Sequence, residues 1–352
     1  MNHRIVNMNN TSDSKLYRQR EQRKQPILID RKFSVAPMID WTDKHCRYFH
    51  RLLTSQALLY TEMVTTGAVE HGDRERILGY NDQEHPVALQ LGGSDPKALA
   101  DSSLIAEQLG YDEINLNVGC PSDRVQSGKF GACLMAEPEL VADCVKAMQN
   151  TVSVPVTVKC RIGIDDQDSE ADLTNFVQHM VDSGLESITI HARKAWLNGL
   201  SPKQNRDVPP LDYDRVYRIK QKFPALEVVI NGGIGDLDQA LAHLQHVDGV
   251  MLGRAAYQTP WILAEVDERI FGAAKNTFTR HDIANKMMDY IDNYLTRDKT
   301  GRARAHHITR HMIFLFQGIE GARKYRQVLS VEANKLGAGA DVLRAALTFV
   351  AK

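Results

Sequence analysis

The residue of greatest chemical interest is Cys120, which lies in a turn directly after a short apolar strand. The run from Asn115 to Ser122 reads Asn-Leu-Asn-Val-Gly-Cys-Pro-Ser. Pro121 ends the strand and Gly119 frees the backbone, so the thiol is presented where a ligand can bind. A protonated thiol there can act as a proton donor. The alternative is a buried cysteine that serves as a small apolar side chain, which is the more common role of cysteine.

The elements that would position this turn follow from a repeated pattern of short runs rich in Val, Ile and Leu. Eight such runs predict strands over Phe33–Pro37, Leu58–Met63, Pro86–Leu91, Glu113–Val118, Pro155–Arg161, Ser187–His191, Glu227–Asn231 and Gly249–Gly253. Helix starts are predicted at Asp95-Pro96 before Lys97–Leu109, at Glu137-Pro138 before Glu139–Met148, and at Asp236 before Leu237–Leu244. Eight strands that alternate with helices predict a parallel (β/α)8 barrel, the TIM barrel.

The active site of such a barrel forms at the C-terminal ends of its strands. Polar residues replace apolar ones at that point in most of the predicted strands. These strand ends are Pro37-Met38, Glu62-Met63, Gln90, Asn117 with Cys120, Lys159 with Arg161, His191, Asn231-Gly232-Gly233 and Gly253-Arg254. Any one of them is explained by an ordinary capped strand end, but the set predicts a binding site.

The last two strand ends predict a phosphate site. Gly232, Gly233 and Gly253 leave backbone N–H groups uncovered, and Arg254 adds a fixed cation. The loops after strands seven and eight are the usual phosphate site of this fold. The sequence therefore indicates a phosphorylated ligand.

Polar side chains from three other strands suit a flat heteroaromatic ring that carries carbonyl oxygens. They are Gln90, Lys159 and His191. Flavin mononucleotide (FMN) has both such a ring and a phosphate, and Lys159 would stabilise the negative charge of the reduced flavin. The alternative for Lys159 is a Schiff-base lysine. No Gly-x-Gly-x-x-Gly follows a strand, so a Rossmann-type dinucleotide domain is not supported.

The distribution of charge along the 352 residues is uneven. Residues 33–271 hold 21 Lys and Arg against 34 Asp and Glu, whereas residues 272–352 hold 14 against 7. The reversal predicts a domain boundary near residue 272, and the basic C-terminal unit indicates a polyanionic partner. A solvated helical face is the alternative explanation. Residues 1–26 are polar and basic without apolar periodicity, which predicts a disordered leader.

The spacing of the cysteines and the hydropathy limit the classes of protein to which this chain can belong. The five cysteines are scattered and never spaced as Cys-x-x-Cys, which argues against disulfides, structural zinc and iron–sulfur clusters. We expect no metal site. No apolar run approaches the roughly 20 residues that a membrane span requires, and the N-terminus lacks the apolar core of a signal peptide. We therefore expect a cytoplasmic protein without a membrane contact.

Six motifs, in this order along the chain, resemble those of the tRNA-dihydrouridine synthase family. They are Val35–Met38, Gln90–Gly93, Asn115–Pro121, Val158–Gly163, Ile190–Arg193 and Asn231–Ile234. The resemblance covers nearly everything after residue 30. Within the family, Gly199–Arg206 and His307–His311 with Gln317-Gly318 resemble the A subfamily, which acts at positions 20 and 20a of the tRNA D loop.

This resemblance implies an FMN enzyme that takes hydride from NADPH and reduces the 5,6 double bond of a uracil in tRNA. Hydride from the flavin would reach carbon 6, while Cys120 protonates carbon 5. Thiols of ordinary pKa, about 8.5, are mostly protonated at neutral pH. A cation would work against that state, so we expect no lysine or arginine in direct contact with the Cys120 sulfur. The expected cofactor-binding residues are Pro37, Met38, Ile39, Gln90, Lys159, His191, Asn231, Gly232, Gly233, Gly253 and Arg254.

The resemblance also implies how tRNA binds. A uridine turned out of the D loop would stack on the flavin, with Asn117 bonding the uracil edge. Residues 27–272 would form the catalytic barrel, and residues 273–352 a small helical bundle that contacts tRNA, with helices predicted over Arg280–Leu295 and His307–Phe316. Candidate phosphate contacts are Lys203, Arg206, Arg323 and Arg326, each of which has a solvated surface cation as its alternative.

Three expectations remain open at this point. The loop from Ser122 to Ala132, with Gly128 and Gly131, is either a lid that carries Cys120 into place or a simple long loop. The protein is expected to be a monomer without a protein partner. Two other functions compete with uridine reduction in tRNA: a flavin barrel that acts on a free pyrimidine, and a non-enzymatic RNA-binding protein on a barrel scaffold.

Overall fold

The eight predicted strands form a closed parallel barrel in the order β1 to β8, so the predicted TIM barrel is confirmed in this computed structural model. The structure describes residues 29–122 and 128–351. The strands are β1 Phe33–Val35, β2 Leu58–Thr65, β3 Val87–Gly92, β4 Glu113–Val118, β5 Val156–Arg161, β6 Ser187–His191, β7 Glu227–Asn231 and β8 Gly249–Leu252. The predicted leader over residues 1–26 lies outside the described residues.

Helices connect the strands on the outside of the barrel. They are α1 Lys44–Leu53, α2 Thr66–His71, α3 Arg74–Leu78, α4 Pro96–Leu109, α5 Pro138–Gln149, α6 Glu170–Asp182, α7 Tyr213–Lys222 and α8 Leu237–His243. After β8 come the short helices α9 Arg254–Gln258 and α10 Val266–Arg269. Asp95 and Asp236 accept hydrogen bonds from backbone N–H groups at the starts of α4 and α8, as predicted. The helix start predicted at Glu137-Pro138 is also confirmed, with Pro138 at the first helical position of α5, although the Glu137 side chain makes no capping hydrogen bond.

Four helices follow the barrel: α11 Arg280–Arg297, α12 His306–Thr309, α13 Ala322–Val331 and α14 Ala340–Leu347. The helix predicted over His307–Phe316 is wrong in extent, because α12 ends at Thr309 and the chain continues in turns whose N–H groups bond three residues back. Its apolar residues are nevertheless buried, as Met312, Leu315 and Phe316 show. The apolar spacing of a helix therefore survives where the helix itself does not.

The C-terminal helices pack against α1, the first helix of the barrel. Tyr290 on α11 stacks on Tyr48 with ring centroids 4.0 Å apart, and its hydroxyl lies 2.9 Å from Nδ1 of His45. Tyr257, at the end of the barrel, reaches Nδ1 of His311 at 3.1 Å. Aromatic residues with one polar atom each thus join the two parts of the chain.

The interior of the barrel has an apolar side and a polar side. The apolar side is a small cluster separate from the main core between strands and helices, and it consists of Ala36, Leu58, Tyr60, Ala88, Val229 and Met251. The polar side is clearest on β4, where Glu113, Asn115 and Asn117 alternate with Ile114, Leu116 and Val118 of the main core. Alternation places every second residue of a strand on one face, so the three polar residues face the barrel axis together.

The part of the chain that the structure describes contains neither a membrane-spanning helix nor a cluster of metal-ligating side chains. None of its helices is long and apolar enough to cross a membrane. Within the same residues, no group of three or more His, Cys, Asp or Glu side chains is arranged to hold a metal ion.

Candidate active site

A cavity of about 680 Å³ opens at the C-terminal ends of the strands. It is lined by residues from all eight strand ends, together with the loop after β6. All eleven residues expected to bind the cofactor line it, namely Pro37, Met38, Ile39, Gln90, Lys159, His191, Asn231, Gly232, Gly233, Gly253 and Arg254. Cys120, Asn117 and Arg206 line it as well. Lys203, Arg323 and Arg326 are not among its lining residues.

Glycine is required at position 232 by both conformation and space. Gly232 has a φ of +118°, which other residues rarely adopt, and a Cβ atom there would lie 2.7 Å from Cδ2 of His191. Gly233 follows with a φ of +71°. Tyr213 donates a hydrogen bond of 2.8 Å to the Gly232 carbonyl and fixes the turn. The backbone can therefore approach a ligand closely at this edge of the cavity.

Positive charge collects beside these glycines. Arg254 pairs with Asp207 at 2.8 Å, and Arg193 donates to the backbone carbonyls of Asp207 and Pro209. Arg206 adds a third guanidinium at the cavity wall. The Nε atom of Arg193 is buried and has no hydrogen-bond partner among the described residues. With one carboxylate among three guanidinium groups, this edge of the cavity keeps an excess of positive charge and suits a phosphate.

Lys159 is held in the cavity by an asparagine. Its Nζ donates to Oδ1 of Asn231 at 3.1 Å, and Asn231 Nδ2 in turn donates to the Met251 carbonyl at 2.7 Å. Burial, reinforced by the charge of Arg161, lowers the pKa of Lys159 to about 8. The ammonium group therefore remains mostly protonated at neutral pH, and a nearby anion would stabilise it further.

His191 presents a neutral imidazole. Burial lowers its pKa well below the ordinary value, and the charges of Arg161 and Lys159 act in the same direction. A neutral ring has one N–H donor and one acceptor nitrogen. It can thus bond a heterocycle without adding charge to the cavity.

The Cys120 turn is held on both sides. Its N–H and that of Gly119 both donate to Oδ1 of Asn117, at 2.9 and 3.1 Å, and the Cys120 carbonyl accepts from the N–H of Ala132 at 2.9 Å. The thiol donates to Oγ of Ser122 at 3.6 Å. The half-buried sulfur therefore sits on a backbone whose polar groups are already satisfied, and it faces the cavity.

Arg161 is a residue whose role the sequence did not reveal. It is 3% exposed, and its Nε donates to the Gly119 carbonyl at 2.8 Å while Nη1 donates to the carbonyls of Lys194 and Asn205. It thereby ties the Cys120 turn to the loop after β6. Arg161 and Arg206 both interact electrostatically with Cys120. The expected absence of a cation in direct contact with the sulfur stays a prediction.

Other features of the site had weaker signals or none. Trp41 lines the cavity and stacks on Tyr257 with ring centroids 4.3 Å apart, but nothing in the sequence around it marks a site. Arg206 was expected on an RNA track, and the structure also places it in the cavity wall. Residues 123–127 of the loop predicted as a lid lie outside the described residues.

The sequence as a whole matches the family described as dihydrouridine synthase over residues 34–350. It is 60% identical over 321 residues to a tRNA-dihydrouridine(20/20a) synthase of Escherichia coli, covering 91% of this chain and 92% of that one. It is 59% identical over 318 residues to the protein of the same name from Shewanella oneidensis, covering 90% and 93%.

A structural comparison supports the fold alone. A solved complex of 2-naphthoyl-CoA reductase with 2-naphthoyl-CoA superposes with a TM-score of 0.54 at 9% identity, over 69% of this chain and 52% of that chain. The family match covers nearly the whole barrel together with the C-terminal helices, and the relatives agree with it at high identity. The chain therefore belongs to the dihydrouridine synthase family.

Proposed function

We propose that the protein reduces the 5,6 double bond of uridine at positions 20 and 20a of the tRNA D loop, using FMN and NADPH, with Cys120 as the proton donor. The observation that carries the proposal is the placement of Cys120 in one cavity with Lys159, His191 and the Gly232-Gly233 turn. The relatives named tRNA-dihydrouridine(20/20a) synthase support the choice of substrate and position.

The residues of the cavity fit FMN. The turn at Gly232 and Gly233, with Arg254 beside it, would hold the phosphate. Gln90, Lys159 and His191 would bond the ring, and Pro37, Met38 and Ile39 would supply apolar contacts, with Asn231 and Gly253 completing the site. Bound FMN supplies the hydride that reaches carbon 6 of the uracil.

Cys120 completes the reduction by transferring a proton to carbon 5. The thiol gives up its S–H proton as carbon 6 gains hydride, so the ring gains two hydrogens in total and the sulfur is left as thiolate. The half-buried sulfur faces the cavity and is held through the backbone of its own turn. A proton donor held in this way needs little reorganisation before it acts.

The remaining polar side chains bind and orient. Lys159 is positioned by Asn231 to stabilise negative charge on the ring system, and Asn117 lies next to Cys120 where the uracil edge would be. NADPH would be the source of the hydride.

Binding of tRNA would extend from the cavity to the C-terminal helices. Arg206 lines the cavity, and Lys203 is exposed in the same loop. Arg323 and Arg326 lie three residues apart on α13, where one helical face carries both. Residues 273–352 would form the tRNA-binding domain and residues 27–272 the catalytic domain. The substrate implies that the enzyme acts in the cytoplasm, and we expect it to act as a monomer.

The decisive experiment mixes the NADPH-reduced enzyme with tRNA, with free uridine and with orotate. The flavin absorbance at about 450 nm is followed, because it is lost on reduction and returns on reoxidation. Rapid reoxidation by tRNA, with dihydrouridine formed at positions 20 and 20a, is the expected result. Reoxidation by the small pyrimidines but not by tRNA would identify a free-pyrimidine enzyme. A colourless protein that binds tRNA would instead identify a non-enzymatic RNA-binding protein.

A further inference from the structure

A buried carboxylate at the N-terminal end of the barrel begins a line of hydrogen bonds. Glu113, fully buried at the start of β4, accepts from Nε of Arg31 at 2.7 Å on one oxygen. Its other oxygen accepts from the hydroxyls of Tyr60 at 2.6 Å and Thr157 at 2.7 Å. The carboxylate is thus anchored by an ion pair and two neutral donors, far from the cavity at the other end of the strand.

The line continues through side chains of three strands to the Cys120 turn. Asn115 Nδ2 donates to Thr157 at 2.9 Å, and Gln90 Nε2 donates to Asn115 Oδ1 at 2.7 Å. Asn117 Nδ2 donates to Gln90 Oε1 at 2.7 Å, and the N–H of Cys120 donates to Asn117 Oδ1 at 2.9 Å. We refer to Glu113, Thr157, Asn115, Gln90 and Asn117 as the polar column. All five residues lie on β3, β4 and β5, which pair in parallel register.

The direction of every bond in the polar column is fixed from the cavity end. Backbone N–H groups can only donate, so Asn117 must turn its oxygen toward Gly119 and Cys120. Its nitrogen must then donate to the oxygen of Gln90, whose nitrogen must donate to Asn115. The side-chain amides of Asn117 and Gln90 can therefore each adopt only one orientation.

The same direction is fixed independently from the other end. A carboxylate paired with Arg31 can only accept, so the hydroxyl of Thr157 donates to Glu113. The oxygen of Thr157 then accepts from the nitrogen of Asn115, which leaves the oxygen of Asn115 to accept from Gln90. Both ends impose one polarity, and a continuous buried network of this kind has a single low-energy arrangement.

We propose that Glu113, Thr157 and Asn115 are positioning residues that hold the side chain of Asn117 in place and, through it, the Cys120 turn. The oxygen of Asn117 already accepts two backbone hydrogen bonds, so the amide offers only its second N–H to the cavity. A donor at this place matches a carbonyl oxygen, of which uracil has two. This inference rests on the proposed function, because it assigns a purpose to the column at the same site.

Thr157 is the position at which the inference can be tested away from the cavity. Thr157→Val keeps the shape but removes both the donor to Glu113 and the acceptor for Asn115. Thr157→Ser restores the hydroxyl. Thr189→Val is the matched control, because Thr189 is a buried threonine on the neighbouring β6 and lies outside the polar column.

Three rates are compared for each variant: flavin reduction by NADPH, reoxidation of the reduced enzyme by tRNA, and alkylation of the Cys120 thiol without tRNA, measured by mass spectrometry. For Thr157→Val we expect reoxidation to slow by about tenfold, which corresponds to about 1.4 kcal/mol. Flavin reduction should be unchanged and alkylation faster, because the turn loses its constraint. Thr157→Ser and Thr189→Val should match the wild type in all three rates.

The inference is overturned if the three rates of Thr157→Val match those of the wild type. It is also overturned if reoxidation by tRNA slows as much in Thr157→Ser or Thr189→Val as in Thr157→Val. If Thr157→Val does not fold, Asn115→Asp replaces it, since aspartate accepts from Gln90 but cannot donate to Thr157, and the same losses are expected. If the wild type is not reoxidised by tRNA, the proposed function fails, and the alkylation rates alone decide whether the column positions Cys120.

Discussion

Asp43 and Arg310 are 267 positions apart in the sequence, yet Oδ2 of Asp43 lies 2.6 Å from Nη2 of Arg310. The other oxygen of Asp43 accepts from the N–H groups of His45 and Cys46 at the start of α1 and lies 3.0 Å from Nε2 of His311. One carboxylate therefore both caps the first helix of the barrel and binds the C-terminal helical segment.

Replacing this carboxylate should destabilise the junction. Asp43→Asn keeps an oxygen for the cap but turns an N–H₂ group toward two donors, so we expect the free energy of unfolding to fall by about 1–3 kcal/mol in urea titrations. Asp101→Asn, which alters an exposed pair with Lys97, should change it little. Equal stability of the two variants would contradict the role of Asp43.

The junction should also respond to acid. Burial alone would raise the pKa of Asp43. The hydrogen bond from His311, the charges of His311 and His45 and the N–H group of Cys46 together outweigh burial and hold the pKa well below its usual range. A lowered folded-state pKa contributes stability that is complete above the unfolded value of about 4 and is lost as pH falls below it. Asp43→Asn should remove this part of the acid dependence, as unfolding titrations at several pH values will show.

Removal of the Cys120 thiol should separate the two half-reactions. Cys120→Ala should remain yellow and be reduced by NADPH at the wild-type rate, because neither property needs the thiol. Reduction of tRNA should slow by about 10² to 10⁴, the usual contribution of a general acid. Stopped-flow absorbance measures both steps. Cys133→Ala, at a half-buried cysteine outside the cavity, is the control, and normal turnover of tRNA by Cys120→Ala would rule out the thiol as the acid.

Lys159 should make flavin binding depend on pH. Because its pKa is lowered to about 8, the protonated fraction falls by about tenfold between pH 7 and pH 9. The anionic ring of the reduced flavin prefers the ammonium form, so the affinity of the apoprotein for reduced FMN should fall by about the same factor. Anaerobic titration with reduced FMN at each pH, followed by absorbance, measures this affinity. Lys159→Met should bind more weakly and lose this dependence, whereas Lys203→Met should retain it. An unchanged pH profile in Lys159→Met would refute the assignment.

The two arginines of α13 should contribute to tRNA affinity but not to chemistry on the cofactor. The double variant Arg323→Ala with Arg326→Ala should weaken tRNA binding and reduce the slope of log affinity against log salt concentration by about 1–2. Oxidation of NADPH without tRNA should not change. Arg218→Ala, which removes an exposed arginine paired with Glu170 on the barrel, serves as the control. A salt slope equal to that of the wild type would place the RNA contact elsewhere.

The sequence predicted those parts of the structure that depend on short continuous segments of the chain. Each strand is a local apolar run, and the rule that barrel sites form at strand ends converts a list of polar residues into one cavity. Gly232 lies at the end of β7 as the sequence indicated, and its positive φ beside the His191 ring leaves room only for glycine. All eleven expected cofactor-binding residues consequently line the cavity.

The parts that the sequence did not predict depend on pairing between distant segments. Arg161 was visible as a polar strand end, but its bond to the Gly119 carbonyl requires the register of β4 and β5. The bond between Gln90 and Asn115 likewise depends on strand register. In the C-terminal segment, apolar spacing predicted a helix beyond Thr309 where the chain forms turns, because burial and hydrogen bonding were satisfied without it.

The packing of α11 on α1 has a consequence for exchanging parts between relatives. Tyr290 of α11 contacts Tyr48 and His45 of α1. The packed unit therefore consists of two segments that are far apart in the sequence. A chimera that transplants residues 273–351 alone would join two surfaces that have not been matched. The transplant that preserves the contact carries α1 along with the C-terminal helices, which makes the first barrel helix part of the interchangeable module.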